Sequence, residues 1–307
     1  MFKNLHEMIS QLQDERACRE YLAKERWNGV VVCPYCNCEK IYVVENGKRF
    51  KCSNKACLLK FSVTVGTIFE NSKVPLTKWF HAVYVATAHK KGISSYQLAR
   101  DLGLSQKTTW FMLHRIREAL RELAPSLLDG IVEIDETWNG GSVKNKHKAI
   151  RERHLKEKIG STADKAGIMG YLQREGTLKL TLLDIEKPIK NHVKENVSFN
   201  AVVLTDGAKA YRGLDREFKG HHFVDHRSDE FVRDGNIHTN GIEGAFGLFK
   251  RMVYGIYHQI TPKHLERYLD EFTYRYNSRN IKDAERFNLT FNNIERRLTY
   301  KKLTGKK

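Results

Sequence analysis

Three acidic residues are the first candidates for chemistry in this sequence. Asp135 lies in a predicted strand in which apolar and acidic residues alternate, so that Glu133 and Asp135 share one polar face. Asp206 ends an apolar run typical of a buried strand, and α/β sheets place ligand chemistry at such strand ends. Carboxylate oxygens are ligands that Mg²⁺ and Mn²⁺ prefer. The pair predicts a divalent-cation site, although each residue alone also fits an exposed edge strand or a turn.

The third acid, Glu243, lies in a predicted helix of about residues 240–254. Glu243 and Lys250 are seven residues apart and therefore share a face beside the apolar stripe of this helix. Asn240 precedes Glu243 by three residues, which is also the spacing of a helix capping box. Either side chain could be the third metal ligand. We favour Glu243 because a carboxylate offsets the charge of the cation better than an amide does, which leaves Asn240 to cap the helix or contact DNA.

Cysteines near the start of the chain predict a second metal site. Two knuckles are separated by fifteen residues and supply four thiolates, from Cys33, Cys36, Cys52 and Cys57. Four thiolates surround one zinc ion and leave no open position, which is the structural arrangement rather than the catalytic one. Cys18 and Cys38 are then spare, and Cys38 could take the place of Cys36. The alternative is a set of reduced cysteines without metal.

The elements around these residues change in type along the chain. Short β-prone runs with an Asn46-Gly47 turn surround the cysteines, and a helical pattern follows from about residue 75 to 128. Within it, residues 94–110 predict a helix, a glycine-containing turn and a second helix capped by Ser105. Strands near residues 131–135, 167–172, 178–183 and 201–204, and then two helices, predict an α/β domain. The lysine-rich residues 143–165 show no core pattern and predict an extended arm or mobile loop.

The second helix of the helical region is a candidate DNA contact. Lys107 and Thr108 lie near its N-terminus, where polar side chains reach bases or phosphates, and Arg115 follows at a position suited to phosphates. The alternative is an ordinary helical packing unit with a solvated face. Charge favours DNA, because 53 Lys and Arg against 36 Asp and Glu give a net charge of +17 and a pI near 9.5.

Composition also narrows the setting of the protein. No apolar run approaches the roughly 20 residues that span a bilayer, and the first residues show no signal-peptide pattern. We therefore expect no membrane association and a cytoplasmic protein, associated with the nucleoid if the host is bacterial. The expected modules are an N-terminal helix with a zinc ribbon (1–70), a helix-turn-helix region (71–128), a catalytic core (129–280) and a basic C-terminal tail (281–307).

Taken together, the motifs resemble insertion-sequence transposases of the DDE/N type that are related to the Merlin superfamily. The resemblance covers nearly the whole chain and rests on residues 132–137, 204–207, 238–243, 249–251, 262–272 and 275–277. It implies a ribonuclease-H-like core in which Asp135, Asp206 and Glu243 bind Mg²⁺ or Mn²⁺. It also implies cleavage of the ends of an element, their joining to target DNA, and at least a dimer on double-stranded DNA.

The same resemblance suggests roles for the cationic residues near the acids. Lys250 and Arg251 would hold DNA phosphates near the metals, and His238 would orient the scissile group. Two other functions fit part of the pattern. One is a DNA-binding regulator with a zinc ribbon and a helix-turn-helix but no catalysis, and the other is a ribonuclease-H-like nuclease or resolvase that cuts without joining.

Overall fold

The computed structural model describes residues 2–121, 127–157, 164–174, 176–225, 232–233 and 236–305. The chain divides into two compact units. The first combines Met1–Arg121 with Ser278–Lys307, and the second is Glu122–Asn277. Among the described residues, no helix is both long and apolar enough to cross a membrane.

The first unit begins with helices α1 (Leu5–Gln11) and α2 (Glu15–Trp27), followed by a small antiparallel sheet. Its strands are β1 (Ile41–Val44), β2 (Arg49–Cys52) and β3 (Lys60–Phe61), in the order β1-β2-β3. The predicted turn is confirmed, because Asn46 and Gly47 both have positive φ and connect β1 to β2. Few apolar side chains support this small sheet. Among them are Phe50 and Phe61, which pack against Trp27 of α2.

Three helices follow in the first unit: α3 (Leu76–Ala88), α4 (Ser95–Leu102) and α5 (Gln106–Leu120). The predicted helix pair and its turn are confirmed in position. Gly103 ends α4 in the left-handed region (φ +59), and the Ser105 hydroxyl accepts the backbone N–H of Thr108 at 3.2 Å to cap α5.

The C-terminal segment differs from the basic tail expected from the sequence. It contains helices α10 (Asp283–Phe291) and α11 (Tyr300–Thr304), and it belongs to the first unit. Phe287 and Phe291, one turn apart on α10, pack their rings on Phe80 of α3 with centroid distances of 6.0 and 5.3 Å. The sequence analysis did not recognise this apolar pair as core because the segment is rich in charged residues. The pair completes the core of the first unit.

The second unit is a mixed α/β fold built on a five-stranded sheet. Its strands are β4 (Ile131–Asn139), β5 (Ala166–Gln173), β6 (Leu178–Leu182), β7 (Val202–Asp206) and β8 (Gly220–Val224). The order is β6-β5-β4-β7-β8, in which β4, β5 and β6 pair antiparallel and β4, β7 and β8 pair parallel.

Apolar residues cover both faces of this sheet. On one face, residues of β5 and β6 pack with helices α8 (Asn240–Met252) and α9 (Pro262–Asn277). On the other, Val132, Ile134 and Val203 belong to a second buried cluster that includes Val193 of α7 (Ile189–Lys194). The alternation along β4 therefore points Glu133 and Asp135 toward the α8 face.

The lysine-rich stretch also differs from the expected arm. A helix, α6 (Lys148–Lys156), forms within it, and His154 of this helix is buried. Asp164 contacts the His154 ring and accepts Lys146 Nζ at 2.7 Å, so charged contacts rather than an apolar stripe order the segment. The expected arm also includes residues 158–163, which lie outside the described residues.

Candidate functional site

Asp135 and Asp206 are brought together by the pairing of two parallel strands. The register of β4 with β7 matches Ile131 with Val202 and Glu133 with Leu204. Two residues further along the same register stand Asp135 and Asp206. Because residues matched in a parallel pair point to the same face, both carboxylates project from the face that α8 covers.

The surroundings of Asp135 are negative and largely closed to water. The pKa of its carboxyl is raised to about 7, mainly by burial and in smaller part by the charges of Glu136, Asp206 and Glu243. The backbone N–H of Glu136 donates to Asp135 Oδ1 at 2.8 Å, which opposes the shift. Because three other acids act on it, the Asp135 carboxylate favours binding either a proton or a cation.

Glu136 is a site residue that the sequence analysis did not single out. It occupies the opposite face of β4 from Asp135, where the buried Tyr211 hydroxyl donates to its carboxylate. Burial raises the pKa of Glu136, the Tyr211 bond lowers it and Asp206 raises it. The sequence could have identified Glu136 by its position on the apolar face of a predicted strand, because a carboxylate buried there needs a hydrogen-bond partner inside the protein.

Helix α8 carries the remaining acid candidate on an exposed face. Its buried stripe is Ile242, Ala245, Phe246, Phe249 and Met252. Glu243 accepts the Thr239 hydroxyl at 2.8 Å and donates its backbone N–H to Thr239 O. Thr239 therefore stands at the cap position and Asn240 is the first helical residue, so the expected cap role of Asn240 is wrong. Asn240, Lys250 and Arg251 are exposed on the same helix.

The carboxylates of Asp135, Asp206 and Glu243 offer only oxygen ligands, which suits a divalent cation. They lie on the adjacent strands β4 and β7 and on helix α8. The ligand oxygens of Asp135, Asp206 and Glu243 do not all lie within 4.8 Å of one another, in contrast to the cysteine sulfurs. Two cations about 3.5–4 Å apart do not require such close convergence, because each carboxylate then reaches a different ion or bridges both.

The four knuckle cysteines converge at one point in the first unit. The Sγ atoms of Cys33 and Cys57 are 3.8 Å apart, those of Cys36 and Cys52 are 3.5 Å apart, and all four lie within 4.8 Å of one another. Four sulfurs about 2.3 Å from a zinc ion would be separated by about 3.8 Å. The set therefore fits one tetrahedral zinc. Cys38 lies outside it, with Sγ near Lys40 O and Ser53 Oγ.

The predicted DNA-contacting residues of α5 separate into two groups. Lys107 is exposed, with Nζ 5.3 Å from the Tyr300 ring, and Thr108 is half-buried beside the cap. Arg115 is only 4% exposed, donates to Glu70 O at 2.6 Å and stacks over Trp79, and burial lowers its pKa to about 10. Its expected phosphate contact is therefore replaced by a packing role inside the unit.

Comparisons with known proteins coincide with these two sites. The family model of the ISXO2-like transposase domain matches residues 127–277, and that of the transposase zinc-ribbon domain matches residues 13–58. An uncharacterized protein in transposable element ISH50 of Halobacterium salinarum is 29% identical over 280 residues, covering 87% of this chain and 92% of that protein.

Among solved structures, the Mos1 strand transfer complex is 15% identical over 75% of this chain and 82% of that chain, with a TM-score of 0.27. The Mos1 transposase paired-end complex with left transposon end is 14% identical over 76% and 78% of the two chains, with a TM-score of 0.28.

Proposed function

This chain belongs to the insertion-sequence transposases that combine a zinc ribbon with an ISXO2-like transposase domain, and we propose that it cuts the ends of an insertion element and joins them to target DNA. The observation that carries the proposal is the strand register that sets Asp135 beside Asp206. Glu243 on α8 adds a third carboxylate whose charge acts on Asp135. The reaction is phosphoryl transfer without a covalent protein intermediate.

We assign the second unit to the ribonuclease-H-like class. Three antiparallel strands followed by two parallel ones, with β4 at the centre of the sheet, support this assignment. The proposal of these three acids as the metal ligands is supported by the elements that carry them, since Asp135 lies on β4, Asp206 on β7 and Glu243 on the later helix α8.

The three carboxylates would hold Mg²⁺ or Mn²⁺. Two cations held there would supply Lewis acidity to the attacking oxygen and to the leaving 3′ oxygen of the phosphodiester. Lys250 shares the exposed face of Glu243, and its ammonium group would hold a DNA phosphate close to the acids, as would Arg251. His238 would donate a hydrogen bond to the scissile group.

DNA recognition is proposed for the first unit. Lys107 and Thr108 lie at the N-terminal end of α5, and the net charge of +17 favours association with a polyanion. The zinc ribbon would fold around its metal and add to the DNA contact. Pairing of two element ends implies at least a dimer on DNA, in the cytoplasm and at the nucleoid of a bacterial host.

Cleavage of a duplex oligonucleotide that carries the element end tests the proposal. Asp135→Asn and Asp206→Asn should each abolish Mg²⁺-dependent cleavage and leave DNA affinity near that of the unmodified protein. Asp129→Asn is the matched control, because its carboxylate is exposed and accepts a hydrogen bond from the neighbouring Gly130 N–H. Undiminished cleavage by either active-site variant would reject the metal-ligand role.

The identity of the third ligand is tested on the first turn of α8. Glu243→Gln should lose Mg²⁺-dependent cleavage, whereas Asn240→Ala should keep most of it, because Thr239 rather than Asn240 occupies the cap. The reverse ranking would assign the ligand to Asn240. Joining of pre-cleaved ends to a target plasmid separates a transposase from a nuclease or resolvase that only cuts, and a regulator without catalysis would do neither.

A further inference from the structure

Glu133 is a buried carboxylate two residues before Asp135 on the same face of β4. Its side chain is 2% exposed, and both of its oxygens are occupied. Oε1 accepts Arg174 Nε at 2.9 Å, and Oε2 accepts the backbone N–H of Ile242 at 3.0 Å. A carboxylate held in this way is directed at the protein rather than at a metal.

The bond to Ile242 links the sheet directly to the start of α8. The first N–H groups of a helix have no partner within the helix, and this end of the helix favours negative charge. Glu133 supplies both an acceptor and a charge to the turn that carries Glu243. Strand β4, which carries Asp135, is thereby fixed to the helix that carries the third acid.

Arg174 extends the same network to the segment that enters α8. Its Nη2 donates to His238 Nδ1 at 3.1 Å and to His238 O at 3.2 Å, while its backbone N–H donates to Ile131 O. His238 Nδ1 also lies 3.4 Å from Glu133 Oε1, so the ring contacts both charged members of this network. In the tautomer in which Nδ1 accepts from Arg174, the ring proton is on Nε2.

Gly241 shows how closely the helix approaches the strand at this point. A Cβ at Gly241 would lie 2.7 Å from Glu133 Oε2 and 2.9 Å from Leu172 Cδ2. Both distances are too short for real contacts, so a side chain here would displace the Glu133 carboxylate and the Leu172 methyl group or push the first turn of α8 away from β4. By contrast, a Cβ at Gly244 on the same helix would meet nothing within 4 Å.

We propose that Glu133 is a positioning residue: with Arg174 and Gly241 it sets the distance of α8 from β4, and so holds Glu243 and His238 in place around Asp135. The inference rests on the function proposed above. It assigns to Glu133 no contact with metal or DNA, since both oxygens already accept hydrogen bonds.

The test compares Glu133→Gln and Gly241→Ala with Gly244→Ala in the full-length protein. Cleavage of the end oligonucleotide is measured in single turnover against Mg²⁺ concentration, and DNA affinity is measured separately. Glu133→Gln and Gly241→Ala should lower the maximal rate by roughly 10- to 100-fold and raise the Mg²⁺ concentration at half-maximal rate, because small misplacements of reacting groups have effects of that size. DNA affinity should change less than about twofold, because the proposed contacts of Lys107 and Thr108 lie in the first unit and neither change touches them. Gly244→Ala should match the unmodified protein.

Each outcome distinguishes this inference from the function on which it rests. If Glu133→Gln and Gly241→Ala cleave like Gly244→Ala while Asp135→Asn is inactive, the positioning role is overturned and the proposed function stands. If Asp135→Asn cleaves normally, the proposed function itself fails. A lower rate with an unchanged Mg²⁺ requirement would show a merely structural role and also overturn the inference. Should Gly241→Ala not fold, the near-isosteric Glu133→Gln still decides the result.

Discussion

Gly170 of β5 leaves open the space into which the ring of Phe246 packs: a Cβ at Gly170 would lie 2.6 Å from Phe246 Cζ. It would also lie 2.7 Å from Ile242 Cδ1. Gly170 pairs with Asp135 across the ladder of β4 and β5. Helix α8 therefore packs closely on the sheet beside the central acid of the candidate site.

This contact predicts that Gly170→Ala destabilises the second unit. Overpacking a well-filled core costs about 1–3 kcal/mol, and here the methyl group would displace two buried side chains at once. Urea unfolding followed by circular dichroism measures the loss. Gly244→Ala, in open space on α8, is the control and should be neutral or slightly stabilising. Equal stability of the two variants would contradict the close packing described here.

The raised pKa of Asp135 predicts that Asp135→Asn stabilises the protein, whereas Gly170→Ala destabilises it. The pKa is about 7 in the folded protein and about 3.9 in an unfolded chain. The charged form therefore destabilises the fold above pH 7, and this penalty disappears as the pH falls through 7 toward 4. Asp135→Asn should stabilise the metal-free site at pH 8 by on the order of 1–4 kcal/mol, and by much less at pH 5.

Unfolding midpoints at the two pH values, in buffer without added divalent cation, test this prediction. A chelator is unsuitable because it would also remove zinc from the cysteines. Asparagine can keep the bond from the Glu136 N–H, so the variant changes mainly the charge. A stability difference of the same size at pH 5 and pH 8 would exclude the charge as its cause.

The sulfur cluster predicts one zinc ion per chain. Cys52→Ser should lose the zinc and unfold the small sheet, because few apolar contacts support it without the metal. Cys38→Ser should keep the zinc, since its sulfur lies outside the cluster. Elemental analysis of the two purified variants makes the comparison. Equal zinc contents would remove Cys52 from the ligand set.

Helix α5 predicts different results for its two cationic residues. Lys107→Ala should weaken duplex DNA binding and reduce the slope of log affinity against log salt by about 0.9, the value for one phosphate contact. Arg115→Met should leave the slope unchanged and lower the free energy of unfolding by about 1–3 kcal/mol, because it removes a buried hydrogen bond. Fluorescence anisotropy at several salt concentrations and thermal unfolding measure the two effects. A reduced slope for Arg115→Met alone would reverse the assignment.

Features that depend on residues close in sequence were predictable. The cap at Ser105 and the apolar stripe of α8 follow from local spacing, and both are confirmed. The cysteine set follows from two short knuckles, although spacing left Cys38 as an alternative to Cys36. In these cases the partners that satisfy each group are near neighbours along the chain.

Features that depend on distant partners were not predictable in the same way. Arg115 looked like a surface cation because the residues that bury it, Glu70 and Trp79, come from an earlier part of the chain. Glu133 was predicted only to share the polar face of Asp135, because its partners, Arg174 and Ile242, lie far along the sequence. Helix periodicity and charge report which side chains are polar, but not which of them find a buried partner.

The chain returns to the first unit after it has passed through the second, which affects the order in which the two units can fold. Phe287 and Phe291 complete a core that starts at the N-terminal residue Phe2, whose ring lies 5.2 Å from that of Phe287. During synthesis, all residues of the second unit are joined to the chain before these side chains exist. The nascent chain can therefore fold its carboxylate-bearing sheet while the unit with the zinc ribbon still lacks part of its core.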